Sequence, residues 1–221
     1  MKPILISVEG GIGGGKTTLM EQLRTMYPEW HFIDEPLDTW TALKNEEGED
    51  LLTVFYKDIN RWAYTFQNCA LLSRAQNIKK AISRWSEQCE YSEEARRQNI
   101  FVTERCLETD FNVFAQMLRE DGKLNGIEWD LYKQWYRMLE GTCAVNALVY
   151  VDTPPEVCEG RIKLRARDGE STISPAYLKN LHKYHEQWID RTCHRVFRYN
   201  NVESRGLLNK PQDVESFVRK L

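Results

Sequence analysis

The sequence lacks a surplus of positive charge. Its 221 residues carry 33 acidic and 30 basic side chains, a formal net charge of −3. Proteins that hold long nucleic acids need a basic excess, because phosphate neutralisation dominates that binding. The balance therefore points to a small ligand and to no nucleic-acid partner. Long apolar runs are also missing. No stretch approaches the ~20 apolar residues that span a bilayer, so no membrane partner is expected. None of the six cysteines forms a CxxC pair. With no secretory signal ahead of them, they read as reduced thiols rather than a disulfide framework. The first apolar run, Ile4 to Val8, is too short for a signal core and passes straight into glycines. No Arg- and Ser-rich organelle leader stands before it, so a cytoplasmic rather than mitochondrial location is expected. Repeats and low-complexity tracts are absent as well.

What is present fits one α/β domain over 1–221, with ordinary hydrophobic (42%) and charged (29%) fractions. Short apolar runs at residues 3–8, 30–33, 99–103, 146–151 and 196–199 read as strands. Helical periodicity fills the gaps: 16–27, one or two long helices within 50–85, 107–118, 128–140, one opening at Pro154-Pro155, and Ser174 to about Arg191. Asp213 reads as the cap of a terminal helix. The charged segments Glu46–Asp50 and Glu87–Arg97 read as exposed loops. Strands alternating with helices, without hairpin signals, imply a parallel sheet covered on both faces.

Gly10-Gly11-Ile12-Gly13-Gly14-Gly15-Lys16-Thr17 fits G-x-x-x-x-G-K-[ST], and Thr18 follows it. The motif stands between an expected strand and an expected helix, as its mechanism requires. Backbone N–H groups of such a loop surround phosphate oxygens, and the helix N-terminus adds positive partial charge. Lys16 reaches the terminal phosphates and Thr17 is a Mg²⁺ ligand in this reading. The loop alone does not separate a kinase from a motor or a GTPase.

Three further segments narrow the choice. Glu35-Pro36 follows the second strand, where a carboxylate faces the ligand crevice and can accept a hydroxyl proton. The plain alternative is a surface Glu before a turn-forming proline. Glu104-Arg105 ends the third strand. There, Glu104 supports a metal through water and Arg105 neutralises phosphoryl charge, or the two form a structural ion pair. Arg161, Arg165 and Arg167, followed by Glu170, form either a phosphate-clamping lid over about 161–171 or a solvated helix face. His182 and His185 at i,i+3 read as packing rather than zinc ligands.

Taken in order, these segments resemble the deoxyribonucleoside kinase family, and within it the deoxycytidine and deoxyguanosine kinases. Further markers are Glu35-Pro36-x-x-x-Trp40, Tyr56-Lys57-Asp58, Phe66-Gln67 and Tyr177-Leu178-x-x-Leu181-His182-x-x-His185-Glu186-x-Trp188. The resemblance implies a P-loop NTPase fold with a five-stranded parallel sheet and a lid. It implies transfer of the ATP γ-phosphoryl group to the 5′-hydroxyl of a deoxynucleoside, with Mg²⁺ bound near Thr17 and Glu104. Glu35 would be the base, with Arg105 and Lys16 beside the reacting groups. Tyr56 and Glu170 would hold the 3′-hydroxyl, and Gln67 the base edge. Phe66 and Phe114 would sandwich the base, while Trp40, Leu52 and Phe55 shape the pocket. Homodimers and feedback by a deoxynucleoside triphosphate are further family expectations, and the donor is ATP or another nucleoside triphosphate.

Gln67, Ala70, Arg74 and Asp110 resemble the base-pocket set of members that take cytosine and purine deoxynucleosides. This favours those substrates over thymidine, although Arg74 and Asp110 also fit a remote salt bridge. Gly169 departs from the acidic or polar neighbour usual before Glu170. Two rivals remain. A thymidylate-kinase-like enzyme would need extra basic residues at the acceptor site, and the Glu35-Pro36 segment has no Arg nearby in sequence. A non-catalytic nucleotide switch would usually carry NKxD, which is absent.

Overall fold

The computed structural model describes residues 2–167, 169–203 and 206–221. Position 168 of the expected lid lies outside the described residues. In chain order the elements are β1 (Ile4–Glu9), α1 (Lys16–Met26), β2 (His31–Ile33), α2 (Leu37–Ala42), α3 (Leu51–Lys57), α4 (Ile59–Tyr91), α5 (Glu93–Arg97) and β3 (Ile100–Glu104). A broken helix follows: α6 (Leu107–Thr109), a π-helical segment (Asp110–Ala115) and α7 (Gln116–Glu120). The rest are α8 (Gly126–Leu139), β4 (Ala147–Val151), α9 (Pro155–Arg165), α10 (Pro175–Arg191), β5 (Arg195–Tyr199) and α11 (Pro211–Val218).

All five strands are parallel, in the order β2-β3-β1-β4-β5. Alternate residues of the central strands serve opposite faces, because side chains in a strand repeat every two residues. Leu5, Phe101, Leu148 and Tyr150 join one core with Phe66, Leu71, Ile78, Leu118 and Leu181. Ile6, Val8, Val102, Val149 and Val151 join the other with Leu19, Leu23, Val214 and Val218. Both faces are thus covered, as the near-continuous apolar strands require. This is the five-stranded P-loop NTPase arrangement expected from the sequence.

β1 sits between β3 and β4: the crossover from β1 runs out to β2 on one side, and the crossover from β3 passes β1 to reach β4 on the other. Crevices in such sheets open at the carboxyl ends of the strands at this reversal. The glycine loop follows β1, and Glu104-Arg105 closes β3. Topology alone brings them together.

Two expectations are corrected. Glu87–Arg97 is not a loop: α4 runs on to Tyr91, and α5 covers Glu93–Arg97. Trp85 Nε1 donates to Ala95 O at 2.8 Å, and Ser92 Oγ accepts from Ala95 N at 3.2 Å. A buried tryptophan and a side-chain cap fold a segment whose composition says solvent. The helix read over 107–118 is present but not regular, because a π-helical turn opens at Asp110. Asp213 does cap α11, from inside its first turn, by accepting from Lys210 N at 2.7 Å.

Candidate active site

A cleft of about 360 Å³ opens at the strand ends, within the size range of small-molecule sites. One end is the glycine loop from Ile12 to Thr18, with Arg161, Arg165 and Arg167. The other end holds Trp40, Leu52, Tyr56, Phe66, Gln67, Ala70, Arg74, Asp110 and Phe114. Glu35, Glu104, Arg105 and Glu170 line the cleft too. Phe55 does not. It is buried behind Phe66, ring stacked on ring with centroids 4.4 Å apart, and props the pocket wall from the core side. Gly10 and Gly11 form the back of the loop: Arg105 Nη2 donates to Gly10 O at 3.2 Å and Lys16 Nζ to Gly11 O at 2.9 Å.

Gly13 and Gly15 adopt φ of +74° and +95°. Left-handed residues flanking Gly14 turn successive N–H groups to one side, which builds an anion cradle. Lys16 is buried, 3.6 Å from Glu104 Oε1, and Thr17 Oγ1 donates to Glu104 Oε2 at 2.9 Å. A hydroxyl and a carboxylate beside a phosphate cradle are hard oxygen donors of the kind Mg²⁺ takes, so the residues fit that ion.

Burial presses the Lys16 ammonium down to about 8, and the Arg105 charge adds to this while Glu104 and Glu35 oppose it. A lysine whose folded value lies below its unfolded one is more readily neutralised in the native state. The native protein therefore binds fewer protons between pH 8 and 10.5, and stability rises with pH in that window. Function runs the other way, since a neutral Lys16 loses its attraction for phosphate. The kcat/KM for the phosphoryl donor is expected to fall above a free-enzyme value near pH 8. A donor profile flat to pH 9.5 would contradict this.

Around Glu35 the charges interlock. Arg105 Nη1 donates to Glu35 Oε1, and Arg74 Nη2 lies 3.5 Å from the same oxygen. Burial alone would raise the carboxyl, but Arg105, Arg74 and Lys16 overcome it and hold Glu35 at about 2. The Arg that the sequence neighbourhood of Glu35 lacks is thus supplied from β3 and α4. Arg105 also lies 5.0 Å above the Phe114 ring, and its backbone is left-handed at φ +62°. Such a conformation in a non-glycine residue costs ~1–3 kcal/mol and is held by its surroundings. Here the anchors are Arg105 N to Val8 O at 3.0 Å and Thr103 Oγ1 to Arg105 O at 3.0 Å.

Arg74 and Asp110 are not remote from the cleft. They form a buried bidentate pair, Nε to Oδ2 at 2.9 Å and Nη2 to Oδ1 at 3.3 Å, and Arg74 Nη1 donates to Glu104 O at 2.5 Å. Gln67 shares the α4 face of Arg74, is 1% exposed, and has no hydrogen-bond partner for its Oε1 among the described residues. Trp40 is fixed by Nε1 donating to Ser73 Oγ at 3.0 Å and by an edge contact with Phe66. Tyr56 keeps its phenolic proton, chiefly through burial and then through the charges of Tyr177 and Glu170. Glu170 accepts from Arg165 at 2.5 Å and from Arg167 at 3.2 Å, so both arginines lean on a carboxylate. This segment also touches α3: a Cβ at Gly169 would stand 3.1 Å from Thr53 Cα, at φ +81°. Only glycine meets both demands.

Some participants gave no sequence signal. Glu9 ends β1 fully buried, with Ser7 Oγ donating to it at 2.5 Å and burial pushing its carboxyl up. A lone acid closing an apolar strand was the only hint. Ser73 anchors Trp40, a role that no pattern in the sequence marks. Cys106 is buried and pushed far up, chiefly by burial, which makes it a poor nucleophile. His185 is buried in the core, stacked with Tyr150. His182 stands with Asp152 and Glu186, where Arg198 pairs with both carboxylates.

A deoxynucleoside kinase family model matches residues 6–221. The chain is 34% identical to deoxycytidine kinase 2 of Gallus gallus, covering 86% of this chain and 76% of that protein. It is 33% identical to the mitochondrial deoxyguanosine kinase of Xenopus laevis, covering 96% and 83%. Against human deoxycytidine kinase the identity is 28%, over 88% of this chain and 77% of the relative. A glycine loop shaped to take an anion, three arginines beside it and a carboxylate between two arginines at the end of an apolar slot suit phosphoryl transfer to a nucleoside, and the chain belongs to the deoxynucleoside kinase family.

Proposed function

We propose that this kinase phosphorylates deoxycytidine and purine deoxynucleosides in preference to thymidine, as a salvage enzyme. One observation carries the reading: the buried Arg74–Asp110 pair stands in the cleft beside Gln67. A buried, charge-assisted pair offers donors and acceptors to a base with an amino group. It leaves a 5-methyl group facing charge instead of an apolar wall. The names of the chicken and human relatives (deoxycytidine) and of the frog relative (deoxyguanosine) point the same way.

In this proposal each residue has a task. Phe66 and Phe114 bracket the base, and Gln67 reads its edge. Tyr56 and Glu170 take the 3′-hydroxyl. The 5′-hydroxyl enters between Glu35 and Arg105. Glu35, ionised throughout the physiological range, accepts the hydroxyl's hydrogen bond and receives the proton late, as the new O–P bond forms. Lys16, Arg105, Arg161, Arg165 and Arg167 surround the transferring phosphoryl group of ATP or another nucleoside triphosphate. Thr17 and Glu104 would hold Mg²⁺, which neutralises phosphate charge when bound. A thymidylate-kinase-like monophosphate acceptor would need uncommitted cations at the acceptor end, whereas Arg74 and Arg105 are already paired with carboxylates. A deoxynucleoside triphosphate bridging both ends of the cleft would act as the feedback inhibitor.

A homodimer belongs to the same proposal. Ile127, Leu131, Trp135 and Met138 form an exposed apolar stripe along α8, and Leu72 of α4 is exposed as well. We also infer a cytosolic location. The six cysteines are free thiols, as a reducing compartment requires, and among the described residues no helix is long and apolar enough to cross a membrane. Cell fractionation decides between cytosol and organelle.

The test is a coupled assay with ATP and Mg²⁺ against deoxycytidine, deoxyadenosine, deoxyguanosine, thymidine and deoxycytidine monophosphate. Turnover with the first three is expected. Preference for thymidine overturns the specificity reading, and turnover with the monophosphate alone overturns the acceptor.

A further inference from the structure

The Gly14 carbonyl is held from behind by three side chains: Thr153 Oγ1 at 2.8 Å, Asn201 Nδ2 at 2.9 Å and Arg161 Nη1 at 3.1 Å. They come from distant parts of the chain. Thr153 follows β4, Arg161 lies in α9 and Asn201 stands beyond β5. Thr153 is 3% exposed. Its hydroxyl also lies 3.0 Å from Asn201 Oδ1, so one proton serves two acceptors. A carbonyl oxygen has two lone pairs, and three donors saturate it.

The Gly14–Gly15 peptide is trans, because no cis bond occurs among the described residues. In a planar trans peptide the C=O and N–H point opposite ways. Fixing the oxygen on the outer side therefore aims the Gly15 N–H at the inner side of the loop. The left-handed backbone at Gly13 and Gly15 turns the neighbouring N–H groups the same way. If this peptide rotated, the cradle would lose a donor and gain a carbonyl oxygen facing phosphate. Glycine-rich backbone rotates easily, so the loop needs something to prevent it.

We propose that Thr153 and Asn201 are positioning residues for the phosphoryl donor, locking the Gly14–Gly15 peptide so that its N–H faces the phosphates. They act through the backbone of the loop. Arg161 adds the third bond and ties the first lid residue to the same oxygen. Nothing in the glycine motif itself encodes this lock, since its members lie 139 and 187 residues away in sequence. The inference rests on the glycine loop being the donor-phosphate site.

The experiment measures MgADP binding by calorimetry, together with steady-state kinetics, on the full-length chain. Thr153→Val, which keeps the shape and removes the hydroxyl, is expected to weaken MgADP binding about tenfold. The donor KM should rise in parallel while the deoxynucleoside KM stays within about twofold, and Thr153→Ser should restore both. Asn201→Leu should act in the same direction, and it decides the matter if Thr153→Val fails to fold. A role in stability alone would move both KM values together and leave the serine variant no closer to wild type. Folded variants that bind MgADP like wild type overturn the proposal. A wild-type chain that does not bind MgADP overturns the donor-site reading beneath it, so the two failures are distinguishable.

Discussion

Glu35→Gln is expected to lower kcat by about 10²–10⁴-fold, the usual contribution of a positioned general base. The change is nearly isosteric, so the deoxynucleoside KM should move only a few-fold. The low value of the carboxyl, about 2, invites the objection that so weak a base cannot deprotonate an alcohol. In a loose phosphoryl-transfer transition state it need not do so early. The hydroxyl proton becomes acidic only as oxygen bonds to phosphorus, and a carboxylate of any ordinary strength then takes it. What Glu35 must be is ionised and aimed, and Arg105 and Arg74 arrange both. The folded value lies below the ordinary 4.5 of a glutamate carboxyl. Its contribution to stability is therefore fully present above about pH 4.5 and is lost as pH falls towards 2. No acid limb from Glu35 should appear in kcat between pH 5 and 8. A Gln variant that keeps more than about a tenth of kcat would mean that charge and proximity alone do the chemistry.

The Arg74–Asp110 pair carries the second large effect, and its sign depends on how many partners are removed. Arg74→Val alone leaves Asp110 buried and uncompensated, and also strips a donor from Glu104 O. A loss of about 3–5 kcal/mol of stability is expected, as for other broken buried pairs. Removing both charges, Arg74→Val with Asp110→Ala, takes away the unpaired ion along with the pair, so most of that stability should return. The double variant exchanges a charged wall for an apolar one, and its thymidine activity should rise while deoxycytidine activity falls. One methyl group in an apolar pocket is worth only about 1–3 kcal/mol of discrimination. The shift in relative kcat/KM should accordingly be tens-fold rather than thousands-fold. Chemical denaturation of the single and double variants, followed by the substrate panel, checks both halves. A stable double variant with no gain on thymidine would place base selection elsewhere in the pocket.

The sheet and the phosphate loop were legible because each rests on local rules. Five apolar runs gave five strands, and a glycine motif between strand and helix gave the cradle. What the sequence hid is the part assembled at a distance. Glu35 reads as an acid with no arginine nearby, yet two guanidiniums reach it from residues 74 and 105. Phe55 reads as a pocket-shaping residue beside Trp40 and Leu52, and only packing puts it behind Phe66. The helical turns between Glu87 and Arg97 carry a signal that a reading of charge as solvent passes over, a Ser92 cap with Glu93 and Glu94 in the first turn and Arg96 and Arg97 in the last, whereas the hydrogen bond from buried Trp85 that docks them leaves no local trace. The Gly14 lock spans most of the chain and leaves no pattern at all.

The wide turn from Asp110 to Ala115 sets a condition on the length of the chain there. An α-helix advances about 100° per residue, and a π-helical turn accommodates one residue more than an α-helical turn. Asp110 and Phe114 face the cleft across this turn, while Met117 and Leu118 beyond it are in the core. One additional residue is thus absorbed between the cleft-facing and core-facing side chains without turning either set out of line. Deleting one residue here should give an ordinary α-helix with Met117 and Leu118 still in the core, and the cost falls on the turn itself, where the spacing of Asp110 and Phe114 is set. Related chains one residue shorter at this point should therefore keep the fold and differ in the shape of the base pocket.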